Sequence, residues 1–408
     1  MENSGAILEL CKKYDSFYLY DEGVIRDSIA SLRQAFGGAE LLYSVKANPA
    51  PGVLRLIFSA GLGADAASLG EVLLAARMGV EPGMIQYSAP GKRPSDIEGA
   101  LGKCTVIADS PGEVELIGRC AEKLGVTAEI GIRLNPDFTF TSDRGAPSKF
   151  GVDQALAFRL LEDWKRLPNV RIAGIHVHSR SQELRAEVLG RYYENMFGLA
   201  CDFQDALGQS LEFVNMGSGL GIPYSAGDRP LDIPALGVRM AELTADFRER
   251  LPGTRIILET GRFVVGKSGV YVSRVLDRKE SMGKTYIILQ NTMNGFIRPS
   301  ISRLVEGCSH GGEPAPAEPL YTGKGAFQFT ALPGGGKLET VTLAGNLCTA
   351  QDIIADDISL PALYPGDAVV ISNAGCYAAA LSPMQFACHD APAQLIIGPD
   401  GRAYDAMK

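Results

Sequence analysis

Histidine is scarce in this chain of 408 residues, four in all, tryptophan occurs once, and the eight cysteines form no CxxC pair. A structural zinc site needs cysteine and histidine ligands at short regular spacings, so no metal is expected. Scattered cysteines in a chain this long fit a reducing compartment better than a disulfide framework. Apolar runs long enough to span a bilayer are missing, and the start, MENSGAILELCKK, lacks a basic segment followed by a long apolar one. The expected location is therefore cytoplasmic, with no membrane partner. Positive charge is not in excess either: 39 basic against 47 acidic residues give a net charge of -8. That argues against a nucleic-acid partner and leaves room for a local cationic pocket and a small ligand.

What is present is a repeating grammar. From about residue 30 to 265, short β-rich stretches each end in a glycine or polar turn, and most lead into a longer Ala/Leu/Glu-rich helix. YSVKANP, LGADAAS, MIQYSAPG, CTVIADS, TAEIGIRLNP, VRIAGIHVHS, LEFVNMGSG and TRIILETGR make about eight such units. This count predicts an α/β TIM barrel over residues 25–265 rather than an open doubly wound sheet. After residue 266 the pattern changes to short strands with few helices, as in GVYVSRVLDRKE, KTYIILQN, LETVTLAGNLC and DAVVISNAG. A mostly β second domain is expected there, made discontinuous by residues 1–24, whose SFYLYD has the same character. The Gly/Pro-rich segment 309–319 reads as a surface loop or a mobile lid.

Several residues at the ends of the barrel strands could carry chemistry. Lys46, in YSVKANP, is either a lysine reaching solvent or an amine held over a pocket, where it can form a Schiff base. In NMGSGLGIPY, the small residues Gly217, Ser218 and Gly219 allow backbone amides to approach a phosphate, or form only a turn. Glu259 and Arg262 in LETGR could serve a heteroaromatic ring nitrogen and a phosphate, or pair with each other at the domain junction. His178 could lie over an aromatic cofactor face, with His176 on the same strand face but deeper.

Taken together, YSVKANP, HVHSRSQ, NMGSGLGIPY, ETGR, AGNLCTAQD and NAGCY occur in an order that resembles the pyridoxal-phosphate decarboxylases of alanine-racemase-like fold, fold type III. The resemblance covers essentially the whole chain and is strongest to diaminopimelate and ornithine decarboxylases. It implies pyridoxal 5'-phosphate as cofactor, Lys46 as the Schiff-base lysine, His178 stacked on the ring and Glu259 on the pyridine nitrogen. It further implies Gly217, Ser218, Gly219, Arg262 and Tyr377 around the phosphate, Ser181 near it, and Asp65 and Arg133 around the cofactor. A head-to-tail homodimer with shared active sites is implied too, in which Cys348 approaches the opposite barrel and delivers a proton after carbon dioxide leaves.

Departures from the family pattern bear on the substrate. Ser218 interrupts a run that is usually three glycines, and Arg180 stands where a small residue is common, so it either binds an acidic substrate or points outward. Asn346 and Thr349 replace a common proline and an acidic residue, which weakens the substrate-amino contact expected at Thr349. In NTMNGFIRPSISR, Arg298 matches a carboxylate-recognising element and Arg303 is its neighbour, while Ser302 replaces a tyrosine. The expectation is decarboxylation of an amino acid or amino-acid conjugate with a second carboxylate, free or carrier-linked, as in siderophore or antibiotic biosynthesis. meso-Diaminopimelate decarboxylation in lysine biosynthesis is the alternative, followed by an amino-acid racemase and a noncatalytic pyridoxal-phosphate-binding protein.

Overall fold

The computed structural model describes residues 3–309, 312 and 314–408. The first strand, β1 (Ser16–Asp21), is followed by a ring of parallel strands: β2 (Glu40–Ser44), β3 (Gly63–Ala66), β4 (Ile85–Tyr87), β5 (Thr105–Ala108) and β6 (Ala128–Asn135). A short β7 (Val152–Asp153) pairs outside the ring with β6, and β8 (Val170–His176), β9 (Phe213–Asn215) and β10 (Arg255–Thr260) complete it. Leu41 of β2 lies beside Leu258 of β10, so the eight-stranded barrel is closed. Its lower interior is filled by Leu42, Ile107, Ala173, Phe213 and Ile257. Phe213 fits because Gly131 and Gly174 face it: a Cβ on either would lie within 3.0 Å of its ring.

Some of the helices between these strands begin where the sequence supplies a side-chain acceptor. Ser68 accepts from Glu71 N ahead of Leu69–Arg77, and Ser110 accepts from Glu113 N ahead of Pro111–Leu124, which has proline in its first position. Gly125 closes the latter helix in the left-handed region.

The second half is mostly β: β11 (Gly269–Ser281), β12 (Lys284–Leu289), β13 (Phe329–Leu332), β14 (Leu338–Gly345), β15 (Ile353–Pro361), β16 (Ala368–Ile371), β17 (Ala393–Ile397) and β18 (Ala403–Asp405). These strands form a half-barrel running β15-β14-β12-β11-β1-β17-β18, with β16 pairing β11 and β13. The N-terminal β1 lies inside this sheet, antiparallel to β11 and parallel to β17. Ile7 and Cys11 of the helix Ser4–Cys11 pack with Phe17, Leu19 and Val272 beneath it. The one long helix of this half, Ile297–Cys308, falls on the RPSISR segment.

One local expectation differs. The apolar residues Leu41, Leu42, Tyr43 and Val45 predict a strand that ends at Asn48-Pro49, but β2 stops at Ser44 and Val45–Ala47 forms a 3-10 turn. The half-barrel takes over the backbone there: Tyr377 N donates to Ala47 O at 2.8 Å, and Asn48 Nδ2 donates to Gly375 O at 3.0 Å. Lys46 is thereby held on a tight turn fixed from both domains.

Candidate active site

A cavity of about 1030 Å3 opens at the carboxyl ends of the barrel strands. Lys46 lines it, with Nζ 2.9 Å from Asp65 Oδ2. Asp65 is wholly buried and accepts also from Ser44 Oγ at 2.8 Å and Ser88 Oγ at 2.7 Å, so its carboxylate has no freedom to follow another partner. Burial alone would push the lysine pKa down, but Asp65, aided by Tyr377 and Glu259, holds it above its usual value. The amine is stored as an ammonium at the rim of the cavity.

Glu259, at the end of β10, anchors a buried polar layer. Its Oε1 lies 2.8 Å from His176 Nε2 and accepts from Asn215 Nδ2 at 2.9 Å, while Oε2 lies 3.4 Å from His178 Nδ1. Burial would raise this carboxyl, yet the two histidines outweigh it and hold Glu259 well below the carboxylate range. His178 is about one-third exposed and His176 almost wholly buried, the depth order that their two-residue spacing suggests.

Beside this layer, Gly217 and Gly219 adopt positive φ, and a Cβ on Gly217 would come within 2.7 Å of His178 Nδ1. Ser218 fits between them because its hydroxyl donates to Glu259 O, so the departure from glycine ties the turn to β10. Arg262 Nη1 donates to Tyr224 OH at 2.7 Å, and its guanidinium lies 5.3 Å from the Tyr377 ring centre. Burial pushes the Tyr224 hydroxyl up to about 12. The second Arg262 Nη pairs with Glu318, whose other carboxylate oxygen is buried without a partner among the described residues, as is Arg262 Nε.

The opposite wall holds Arg133, which contacts Asp109 and the His178 carbonyl at 3.5 Å and lies over the Phe150 ring at 4.4 Å. Asp109 accepts from Gly151 N, and its own N–H donates to Glu113, which pairs with the buried Lys92 at 2.8 Å.

Lys46, Arg133, His178, Ser181, Glu259, Arg262 and Tyr377 thus line one cavity, with Asp65 and the 217–219 turn directly behind it. Arg180 reaches the mouth as an exposed side chain. Arg298 does not line the cavity: it is wholly buried, donating to Thr322 Oγ1 at 2.7 Å and lying 5.5 Å from the centre of the Tyr224 ring, as Arg262 does. Arg303 acts electrostatically on Asp356 of β15, away from the barrel mouth. Thr349 and the exposed Cys348 sit in the turn after β14, which Asp352 holds by accepting from Leu347 N, Met293 N and Thr292 Oγ1. Of the 309–319 segment, Ala315, Pro316, Glu318 and Pro319 line the cavity; residues 310, 311 and 313 lie outside the described ones.

Sequence reading missed Asn215, Ser88, Tyr224 and Glu318. Asn215 and Tyr224 flank the glycine turn in NMGSGLGIPY and were readable as its supports. Nothing in the sequence brings Glu318 to Arg262, 56 residues away.

A family profile described as "Pyridoxal-dependent decarboxylase, pyridoxal binding domain" matches residues 22–266. The chain belongs to the pyridoxal-dependent decarboxylases. A relative from Niallia circulans, L-glutamyl-[BtrI acyl-carrier protein] decarboxylase, is 32% identical over 399 residues, covering 96% of this chain and 90% of its own. The diaminopimelate decarboxylase of Helicobacter pylori strain J99 is 29% identical, covering 92% and 88%. The crystal structure of a Helicobacter pylori diaminopimelate decarboxylase complexed with L-lysine superposes with a TM-score of 0.82 at 26% identity, covering 98% of this chain and 95% of that one. The decarboxylase is a carbon–carbon lyase acting on an amino acid with pyridoxal phosphate as cofactor. Its own residues fit that group: an amine and a buried carboxylate open on one cavity, a glycine cradle lies beside them, and the unpartnered Arg262 Nε lies close by. Among the described residues no group of His, Cys, Asp and Glu assembles for a metal, and no helix is long and apolar enough to cross a membrane.

Proposed function

We propose that this decarboxylase removes the α-carboxylate of a small amino acid that carries a second carboxylate, with meso-diaminopimelate as the reading the relatives favour. Relatives from Helicobacter pylori, Aquifex aeolicus and Archaeoglobus fulgidus carry the name diaminopimelate decarboxylase, which favours that alternative over the amino-acid conjugate first expected. The observation that carries the acidic substrate is Arg298. It is wholly buried, donates to Thr322 Oγ1 and the Cys376 carbonyl, and has no carboxylate beside it and no partner for Nε among the described residues, so an anionic ligand would supply the missing counter-charge. Reaching it requires the Tyr224 ring to yield.

Pyridoxal phosphate, when bound, supplies a ring that accepts the electron pair left as carbon dioxide departs. Lys46 would hold the cofactor through its amine, and Asp65, fixed by two serines, would hold that amine as an ammonium whenever it is free. Glu259 would keep the ring nitrogen protonated through its carboxylate, His178 would cover the ring, and the 217–219 amides with Arg262, Ser181 and Tyr377 would hold the phosphate. Cys348 from a second subunit delivers a proton to the α-carbon through Sγ, so the catalytic unit is a homodimer. One proton taken up and one carbon dioxide released balance the reaction.

A glutamyl conjugate on a carrier is the second reading, favoured by Thr349. A threonine there offers no charge to a second ammonium, which diaminopimelate has and a glutamyl thioester lacks. Carbon dioxide release should be measured with meso-diaminopimelate, lysine, ornithine, arginine and a glutamyl thioester. Turnover of meso-diaminopimelate above all others is the expected result; exclusive turnover of the thioester selects the second reading, and preference for lysine, ornithine or arginine defeats both.

A further inference from the structure

We infer that His176, together with Asn215, is a positioning residue that fixes the Glu259 carboxylate so that a single oxygen, Oε2, is left for the ring nitrogen of the cofactor. The inference rests on the proposed placement of that nitrogen against Glu259. Oε1 is occupied twice, by His176 Nε2 at 2.8 Å and by Asn215 Nδ2 at 2.9 Å. Among the described residues Oε2 has only His178 Nδ1, at 3.4 Å, on the residue that lines the cavity.

Each donor is itself held in one orientation. Asn215 Nδ2 spends its other hydrogen on Gln86 Oε1 at 2.7 Å, and Asn215 Oδ1 accepts from Gly217 N at 2.9 Å. A flipped amide would put its oxygen against two acceptors, so the network admits one orientation. The same asparagine therefore sets the Glu259 carboxylate and the glycine turn that serves the phosphate, the two ends between which a cofactor ring has to lie. His176 Nδ1 is buried with no partner among the described residues, which puts the ring proton on Nε2, facing Glu259. Burial also lowers the His176 pKa, so the imidazole donates while neutral and leaves the full carboxylate charge for the ring nitrogen. A cationic histidine in the same place would compete with the protonated ring for that charge.

The test uses the enzyme loaded with pyridoxal phosphate carrying 15N in its ring, comparing wild type, H176F, H176Q and N215A. Ring-nitrogen NMR reports protonation directly, and steady-state kinetics separate kcat from KM. We expect a protonated nitrogen in wild type and H176Q, whose amide keeps a donor. H176F and N215A should shift the signal toward the unprotonated form and lower kcat by about 10- to 100-fold, as for other residues that orient a functional ligand, with KM within about twofold. N215A carries the test if H176F fails to fold. A protonated wild type whose signal and kcat survive both H176F and N215A would overturn the inference alone. An unprotonated ring nitrogen in wild type would overturn the placement against Glu259 and the inference with it.

Discussion

At the scale of single residues, charge placement governs what the site can hold. The Lys46–Asp65 pair keeps the amine protonated, so it has to release a proton before it can attack a carbonyl, and the resulting prediction concerns covalent chemistry. Borohydride reduction followed by mass mapping should find the cofactor on Lys46 in wild type and nowhere in K46A; retention of the same label elsewhere in K46A would reject the assignment. Arg298 is the second such residue. If a substrate carboxylate reaches it, R298A should raise the kinetic barrier by roughly 2–5 kcal/mol for dicarboxylic substrates and much less for neutral-tailed ones. Equal losses for both classes, with fold and cofactor content unchanged, would remove Arg298 from substrate recognition. His176 gives a pH effect in the cofactor-free protein. Its folded pKa lies below the unfolded value of about 6.5, so as pH falls below that value the unfolded chain binds a proton that the folded one refuses. Stability from this residue is complete above pH ~6.5 and declines as pH falls, and Glu259, also depressed, adds a decline below pH ~4. The melting temperature of H176Q should therefore depend less on pH than that of wild type as pH falls below about 6.5.

Among the elements, the strap 314–319 and the turn after β14 carry the clearest consequences. Glu318 brings a carboxylate to Arg262, the arginine proposed for the cofactor phosphate, and among the described residues its second oxygen has no hydrogen bond to compensate for burial. On that proposal, phosphate and Glu318 would compete for one guanidinium. E318Q should therefore bind pyridoxal phosphate several-fold more tightly than wild type in a fluorescence titration of cofactor-free protein, and weaker binding would show that Glu318 supports the site. Asp352 holds the Cys348 turn by three acceptor contacts, two of them to backbone N–H groups. Removing it in D352A should cost on the order of 3 kcal/mol by stranding those donors, read as a fall in the denaturation midpoint.

Across the whole molecule, Lys46 lines the barrel cavity while Cys348 is exposed on the half-barrel and does not reach it within one chain. This separation is what a shared active site in a homodimer requires. Coexpressed K46A and C348A chains should form heterodimers that regain part of the wild-type activity, because one of the two sites then has both groups intact. Verified heterodimers without activity would exclude that arrangement.

The barrel and the mostly β character of the second half were legible in the sequence because they depend on local periodicity: about eight strand–turn units, then short strands with few helices. Lys46, Glu259, Arg262 and the 217–219 turn were legible as well, since strand ends of such a barrel meet on one face whatever the loops do. The tertiary structure alone decided what depends on contacts between distant segments. It seated Arg298 behind the cavity against Tyr224, ended β2 one turn early through Tyr377, and brought Glu318 to Arg262. It also surrounded Glu259 with His176 and Asn215, drawn from two other strands. Hydrophobic spacing fixes which face of a strand is buried, whereas the partner of a buried polar atom is set by three-dimensional register and by the cost of leaving that atom unpaired.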